Sequence, residues 1–294
     1  MGIQKVAVVG AGTMGRGIAQ VAALAGYDTV LTDAAREVLE KAADHISRSL
    51  EKGVEKGKVA PADADAARAR LRTERSFDAA ARGADLVVEA VFEDLDLKRS
   101  IFARLDAAAP SGAILASNTS SLSLARIAEA TKRPARVLGM HFFNPVPLMP
   151  LLEIVRTDAT APDALDAVLD AGRRMGKECI VVRDSPGFTT SRLGLAIGLE
   201  AMRMLEEGVA SAADIDRAME LGYRHPMGPL KLTDLVGLDV RLAIAEHLAR
   251  ELDGARFKPP EVLRRLVKAG RLGKKSGEGF YRWEGDQASP GRAP

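Results

Sequence analysis

The chain has 294 residues, 47% of them hydrophobic, and a formal net charge of +2. That length allows two ordinary domains, and the apolar fraction builds a core without metals or disulfides. Near-neutral charge argues against a nucleic-acid partner, the single cysteine (Cys179) excludes a disulfide framework, and no apolar run reaches the roughly 18 residues of a membrane span.

In chain order, VAVVG (6–10) predicts a buried strand and TMGRGIAQVAALAG (13–26) a helix that stops on Gly26. TVLTD (29–33) is the next strand. A polar helical stretch follows, from about 34 to 70, broken near KGKVAP. ADLVVEAV (84–91), AILASN (113–118), RVLGMHFF (136–143), LLEIV (151–155) and CIVV (179–182) complete the strand set. Continuous apolar strands separated by helices predict a parallel sheet covered on both faces. From Phe188 onward no strand is evident. TTSRLGLAIGLEAMRMLEEG, SAADIDRAMELG, GPLKLTDLVGLDVRLAIAEHLAREL and PEVLRRLVKAG all read as helix, and the last residues as a frayed tail. The expected fold is α/β: a doubly wound, mostly parallel sheet in residues 1–184, then an all-α domain in 185–294. The apolar surface of helix 190–206 suits either packing within its domain or a subunit interface.

GAGTMG (10–15) follows a strand and opens a helix, the context that G-x-G-x-x-G needs for a dinucleotide. Gly10 makes the turn, Gly12 lets the backbone approach a pyrophosphate, and Gly15 lets helix and strand pack. Thr13 and Met14 start the helix whose N–H groups face the phosphates. Asp33 ends the next strand, where an acid accepts from the adenosine ribose hydroxyls and disfavours a 2′-phosphate. NAD is therefore the expected cofactor of this Rossmann-type domain, and Arg36 nearby leaves NADP open. Ligands of such sheets gather beyond the carboxyl ends of the strands. Glu93, Asn118, Ser120, His141 and Asn144 all fall there.

His141 lies in the apolar run GMHFFNPVPLM, one of four histidines in the chain. Two readings are open for it: a core imidazole satisfied by backbone, or the general base that takes a hydroxyl proton during hydride transfer. A base needs an orienting acceptor, and Glu153 in LLEIV is a candidate; its alternative is a carboxylate facing water. His45 reads as a solvated helix face, His247 as part of an amphipathic helix, and His225 as a loop residue and the nearest rival. No metal-ligand spacing occurs.

Seven stretches together resemble the L-3-hydroxyacyl-CoA dehydrogenases, and within them the short 3-hydroxybutyryl-CoA dehydrogenase branch. They are VVGAGTMGRGIAQVAALAGY, ADLVVEAVFEDLDLKRSIFARLD, ASNTSSLSL, HFFNPVPLMPLLEIV, DSPGF, HPMGPLKLTDLVGLD and GKKSGEGFY. The resemblance implies His141 as base paired with Glu153, and Ser120 and Asn144 at the substrate oxygen or nicotinamide. It implies Glu93, Lys98 and Lys275 toward NAD, Ser49 and Lys56 on coenzyme A, and a homodimer joined through the helical domain; Asn118 is expected at the cofactor from its strand-end position, and the lone cysteine with no signal segment predicts a cytoplasmic protein. One departure stands out: the family's usual Asn before RL is Ser191 here. It bears on the acyl group rather than on hydride chemistry, and admits a longer or dicarboxylic chain, for which Arg224 is a candidate partner. A free hydroxy acid as substrate, or a non-catalytic NAD-binding module, are the competing readings.

Overall fold

A computed structural model describes residues 2–252 and 254–291. The chain divides into two compact units, Met1–Ser185 and Pro186–Pro294.

The first unit is a sheet of eight strands: β1 (Lys5–Val9), β2 (Asp28–Thr32), β3 (Leu71–Glu74), β4 (Leu86–Glu89), β5 (Ile114–Ser117), β6 (Val137–Phe142), β7 (Leu151–Arg156) and β8 (Glu178–Arg183), in the order β3-β2-β1-β4-β5-β6-β7-β8. Its helices are α1 (Thr13–Leu24), α2 (Arg36–Glu55), α3 (Pro61–Arg70), α4 (Phe77–Ala81), α5 (Leu95–Ala108), α6 (Leu124–Ala128) and α7 (Pro162–Arg174). Strands β1, β4, β5 and β6 are buried almost throughout, as strands covered on both faces must be. Two features depart from the expected sheet. Strand β3 sits at an edge with two half-buried and two exposed residues, so its sequence LRTE carries no apolar run. And β7 pairs antiparallel with β6, because only the Pro-rich turn joins them, too short for a parallel crossover.

The order reverses at β1, which has β2 on one side and β4 on the other. That topological switch point opens a crevice beyond the carboxyl ends of the strands. Helices α2 and α3 are the helical stretch expected from about 34 to 70, and its break falls at Lys56–Ala60.

The second unit contains α8 (Thr190–Glu206), α9 (Ala212–Gly222), α10 (Pro229–Val236), α11 (Leu238–Glu251), α12 (Gly254–Phe257) and α13 (Glu261–Lys268). The run GPLKLTDLVGLDVRLAIAEHLAREL is two helices, since Gly237 takes a φ of +102° and ends the first. The unit also departs from an all-helical reading by a hairpin of β9 (Tyr281–Glu284) and β10 (Gln287–Pro290). Tyr281 and Trp283 face inward in alternation, a strand signal too short to stand out in sequence. Two buried carboxylates stitch the hairpin to the helices. Asp234 accepts from Phe280 N, Tyr281 N and Trp283 Nε1, each at 2.9 Å, and Asp216 from Tyr281 Oη at 2.8 Å. Burial raises the pKa of both carboxyls against those hydrogen bonds. Part of the tail read as frayed is thus the second strand, and residues 292–294 lie outside the described residues. Among the described residues no helix is long and apolar enough to cross a membrane.

Candidate active site

The glycine loop forms as its spacing predicts. Gly10 has a φ of +98°, and a Cβ there would lie 2.7 Å from the Ala90 carbonyl oxygen. A Cβ on Gly15 would fall 1.7 Å from the Gly10 carbonyl oxygen, so strand and helix meet only if both positions are bare. At Gly12 a Cβ would meet nothing within 4 Å: that position faces open space. Helix α1 begins there with no side-chain cap and no acid in its first turn, so the N–H groups around Thr13 and Met14 and the positive dipole end suit a diphosphate. Asp33 ties the loop to β2: its Oδ2 accepts from Ala11 N at 2.8 Å and its Oδ1 from Ala35 N at 3.0 Å. A carboxylate has about four acceptor positions, so capacity remains for ribose hydroxyls. The Arg36 guanidinium, the feature that left NADP open, is engaged by Glu40 at 2.6 Å. These residues fit a dinucleotide with an unphosphorylated ribose.

The next layer joins the ends of β4, β5 and β6. Glu93 Oε1 accepts from Thr119 Oγ1 (2.6 Å), Ser120 N (2.9 Å) and Ser120 Oγ (3.2 Å), which fixes the SNTSSL turn. Burial opposes ionisation of Glu93, but the Lys98 ammonium and these hydrogen bonds outweigh it and hold the carboxyl below its ordinary value. Asn118 Oδ1 accepts from Phe142 N at 2.9 Å, binding the end of β5 to the strand that carries His141.

Beneath this turn is an ion pair that the sequence reading overlooked. Lys98, only 1% exposed, places Nζ 2.7 Å from Glu89 Oε1 and 3.5 Å from Glu93 Oε2. Glu89 also accepts from Val91 N and from Ser117 Oγ, each at 2.7 Å. The signal was in ADLVVEAV: a carboxylate inside a buried strand needs a cation, and one stands on the following helix.

His141 and Glu153 are opposite one another in the β6–β7 ladder. Opposite residues of an antiparallel pair project to the same face, so register alone brings their side chains together. His141 Nδ1 lies 2.7 Å from Glu153 Oε2, and Glu153 is fully buried. The Phe143 ring packs on the imidazole with centroids 4.4 Å apart. Asn144 is exposed just past the strand, at a cis Asn144–Pro145 bond. The Pro-rich turn is held from below by Lys177, a second missed residue, whose Nζ donates to Val146 O at 2.5 Å and Met149 O at 2.8 Å.

Other expected residues are more scattered. Ser49 is half-buried on α2, and Lys56 is exposed at that helix's end. In the second unit Ser191 lies in the first turn of α8. Lys275 pairs with Asp239 at 2.6 Å, and Arg224 is exposed at a φ of +58°. Of the other histidines, His45 is exposed, and His225 and His247 belong to the second unit. Among the described residues no cluster of His, Cys, Asp and Glu could hold a metal.

A nucleotide crevice beside a buried histidine–carboxylate pair defines a dinucleotide-dependent oxidoreductase. Comparison with known proteins narrows this. The family described as "3-hydroxyacyl-CoA dehydrogenase, NAD binding domain" matches residues 5–185, and its C-terminal domain matches 187–283. The chain belongs to the 3-hydroxyacyl-CoA dehydrogenase family. It is 43% identical over 284 residues to a probable 3-hydroxybutyryl-CoA dehydrogenase of Bacillus subtilis, covering 97% of this chain and 99% of that protein. It is 45% identical to the 3-hydroxybutyryl-CoA dehydrogenase of Mycobacterium tuberculosis, covering 95% and 98%. The crystal structure of the (S)-3-hydroxybutyryl-CoA dehydrogenase from Ralstonia eutropha superposes with a TM-score of 0.92 at 40% identity, covering 96% and 99%.

Proposed function

We propose that the protein interconverts (S)-3-hydroxyacyl-CoA and 3-ketoacyl-CoA with NAD, with His141 as the general base. The observation that carries the assignment of roles is the 2.7 Å contact from His141 Nδ1 to the buried Glu153 carboxylate. With the Nδ1 proton donated to Glu153, the lone pair resides on Nε2, which takes the 3-hydroxyl proton. The imidazolium that forms is stabilised by the negative charge of Glu153. Bound NAD supplies the hydride acceptor. Gly10, Gly12, Thr13, Met14 and Gly15 hold its diphosphate, Asp33 its adenosine ribose, and Glu93 and Asn118 its nicotinamide half. Lys98 acts through Glu93, since its own ammonium lies beneath the turn. Ser120 and Asn144 hydrogen-bond the reacting oxygen, and Ser49 and Lys56 hold coenzyme A.

A cytoplasmic homodimer is part of the proposal. Its support is the single free thiol, Cys179, and the apolar side chains left exposed on the helical unit, among them Leu193 (58%), Leu221 (69%) and Tyr223 (76%).

The test is oxidation of NADH with acetoacetyl-CoA, beside free acetoacetate and with NADPH as a control. Turnover with the thioester and NADH alone is expected. Equal turnover of free acetoacetate removes the coenzyme A requirement. Tight NADH binding without turnover of any 3-ketoacyl thioester leaves a non-catalytic NAD-binding module.

A further inference from the structure

Lys177 is a buried amine that the reaction scheme above leaves unused. It is 7% exposed, in the corner between α7 and β8, and its Nζ donates to the carbonyl oxygens of Val146 (2.5 Å) and Met149 (2.8 Å). Burial lowers its pKa, but the charged and the neutral form both have hydrogens for two carbonyls. A methionine would occupy the space without desolvating an amine, so these two bonds are what the side chain contributes there. Its main chain is fixed on both sides. Lys177 N donates to Gly172 O at 3.0 Å, past Gly176 at a φ of +73°, and Glu178 N donates to Pro150 O at 2.8 Å as β8 begins.

The turn it holds follows directly on Asn144. Leu148 N and Met149 N both donate to Pro145 O, at 2.9 and 3.0 Å, which makes residues 145–149 one compact turn. Within it Val146 is 2% exposed. It lies against Gly17 of α1: a Cβ built on Gly17 would fall 2.8 Å from Val146 Cβ and 3.6 Å from Pro147 Cδ. Gly17 is outside the G-x-G-x-x-G spacing, about one helical turn past Thr13, where the nucleotide helix begins. The turn is therefore gripped from two sides. Lys177 holds its main chain, and the bare face of α1 receives its side chains. His141 depends on neither, because the β6–β7 ladder sets it.

We propose that Lys177 is a positioning residue of the reaction: it holds the 145–149 turn against Gly17 and so fixes where Asn144 stands relative to the cofactor helix. This rests on the dehydrogenase reading above, in which Asn144 hydrogen-bonds the reacting oxygen. Without the two bonds the turn shifts and Asn144 leaves that oxygen, while His141 and Glu153 stay paired. A displacement of about 1 Å at a reacting centre costs on the order of 100-fold in rate. The signature is a lower kcat with cofactor binding and the titration of the base unchanged, which a general loss of stability does not give.

The experiment measures kcat for acetoacetyl-CoA and NADH per NADH-binding site, so that unfolded protein does not count, and repeats it across pH. The variants are Lys177→Met, Lys177→Arg, Gly17→Ala, Asn144→Ala and Lys177→Met combined with Asn144→Ala. In Lys177→Met, kcat per site should fall on the order of 10- to 100-fold, with NADH Kd and the pH profile unchanged. Lys177→Arg should lose less, since it still has donors for both carbonyls. Gly17→Ala should lower kcat by pushing the same turn from the other side, and it carries the comparison if Lys177→Met does not fold. Adding Lys177→Met to Asn144→Ala should cost little more, because both act on one contact. Without cofactor, amide hydrogen exchange at Leu148 and Met149 should quicken in Lys177→Met. Unchanged kcat per site in Lys177→Met, or in Gly17→Ala where only that variant folds, overturns the inference and leaves a lysine that merely stabilises the fold. So does a loss that multiplies in full with that of Asn144→Ala. An intact protein that turns over no 3-ketoacyl thioester removes the dehydrogenase reading and the positioning role with it.

Discussion

The buried pair of Lys98 and Glu89 offers a quantitative test of how the cofactor turn is held. Lys98→Met removes the ammonium and leaves the fully buried Glu89 carboxyl without its cation, with Val91 N and Ser117 Oγ still donating to it. Breaking a buried pair from one side costs about 3–5 kcal/mol. In a unit of this size each kcal/mol moves the melting midpoint by about 2–4 °C, so a loss of roughly 6–20 °C is expected. Adding Glu89→Gln removes the stranded charge and should recover most of it, because a buried ion pair and a neutral replacement are often close in stability. The double variant should still bind NADH more weakly, since Glu93 has lost the cation at 3.5 Å that holds it ionised under Ser120. Calorimetry of both singles and the double closes the cycle, with NADH titration on the same samples. A Lys98→Met loss under about 1 kcal/mol, or a double variant no better than the sum of the singles, would refute the reasoning.

His141→Ala should lower kcat by about 10²–10⁴ with NADH affinity nearly intact, whereas a change under about threefold in single-turnover kinetics removes it from proton transfer. Glu153→Gln should slow turnover while leaving substrate KM little changed, because an amide orients the ring without stabilising imidazolium; steady-state kinetics separates the two. The Glu93 carboxyl is depressed in the fold, so its contribution is complete above the unfolded glutamate value of about 4.3 and is lost as pH falls through the lower folded value. Denaturation of the intact protein and Glu93→Gln should therefore differ by a constant amount from pH 5 to 8 and converge only in stronger acid. Asp234→Asn should destabilise the helical unit by about 1–3 kcal/mol in urea titrations, since the amide nitrogen meets N–H donors where a carboxylate oxygen stood.

What was legible in the sequence follows from burial. Strands β1, β4, β5 and β6 are buried on both faces and therefore read as unbroken apolar runs. Strand β3 and the β9–β10 hairpin are short and half-exposed, and left no such trace. His141 and Glu153 were findable because each breaks an apolar strand, although periodicity could not say that β7 returns antiparallel and sets them opposite. Glu89 breaks its strand in the same way and was passed over beside the more exposed Glu93. Arg241 in the second unit is 6% exposed, although a charged residue in an amphipathic helix is ordinarily assigned to water. It occupies the stripe Leu238, Arg241, Ala245, Leu248, all buried, where an apolar residue belongs. A charge on the apolar stripe was the available signal.

The β6–β7 ladder has a consequence for how such a protein can diversify. The acid–base couple is set by main-chain pairing inside one unit, and no loop or distant helix has to be tuned to bring it together. Because strand register is fixed by main-chain hydrogen bonds, side chains elsewhere can be exchanged while the couple keeps its geometry. New specificity is reachable in small steps, each one through an active enzyme.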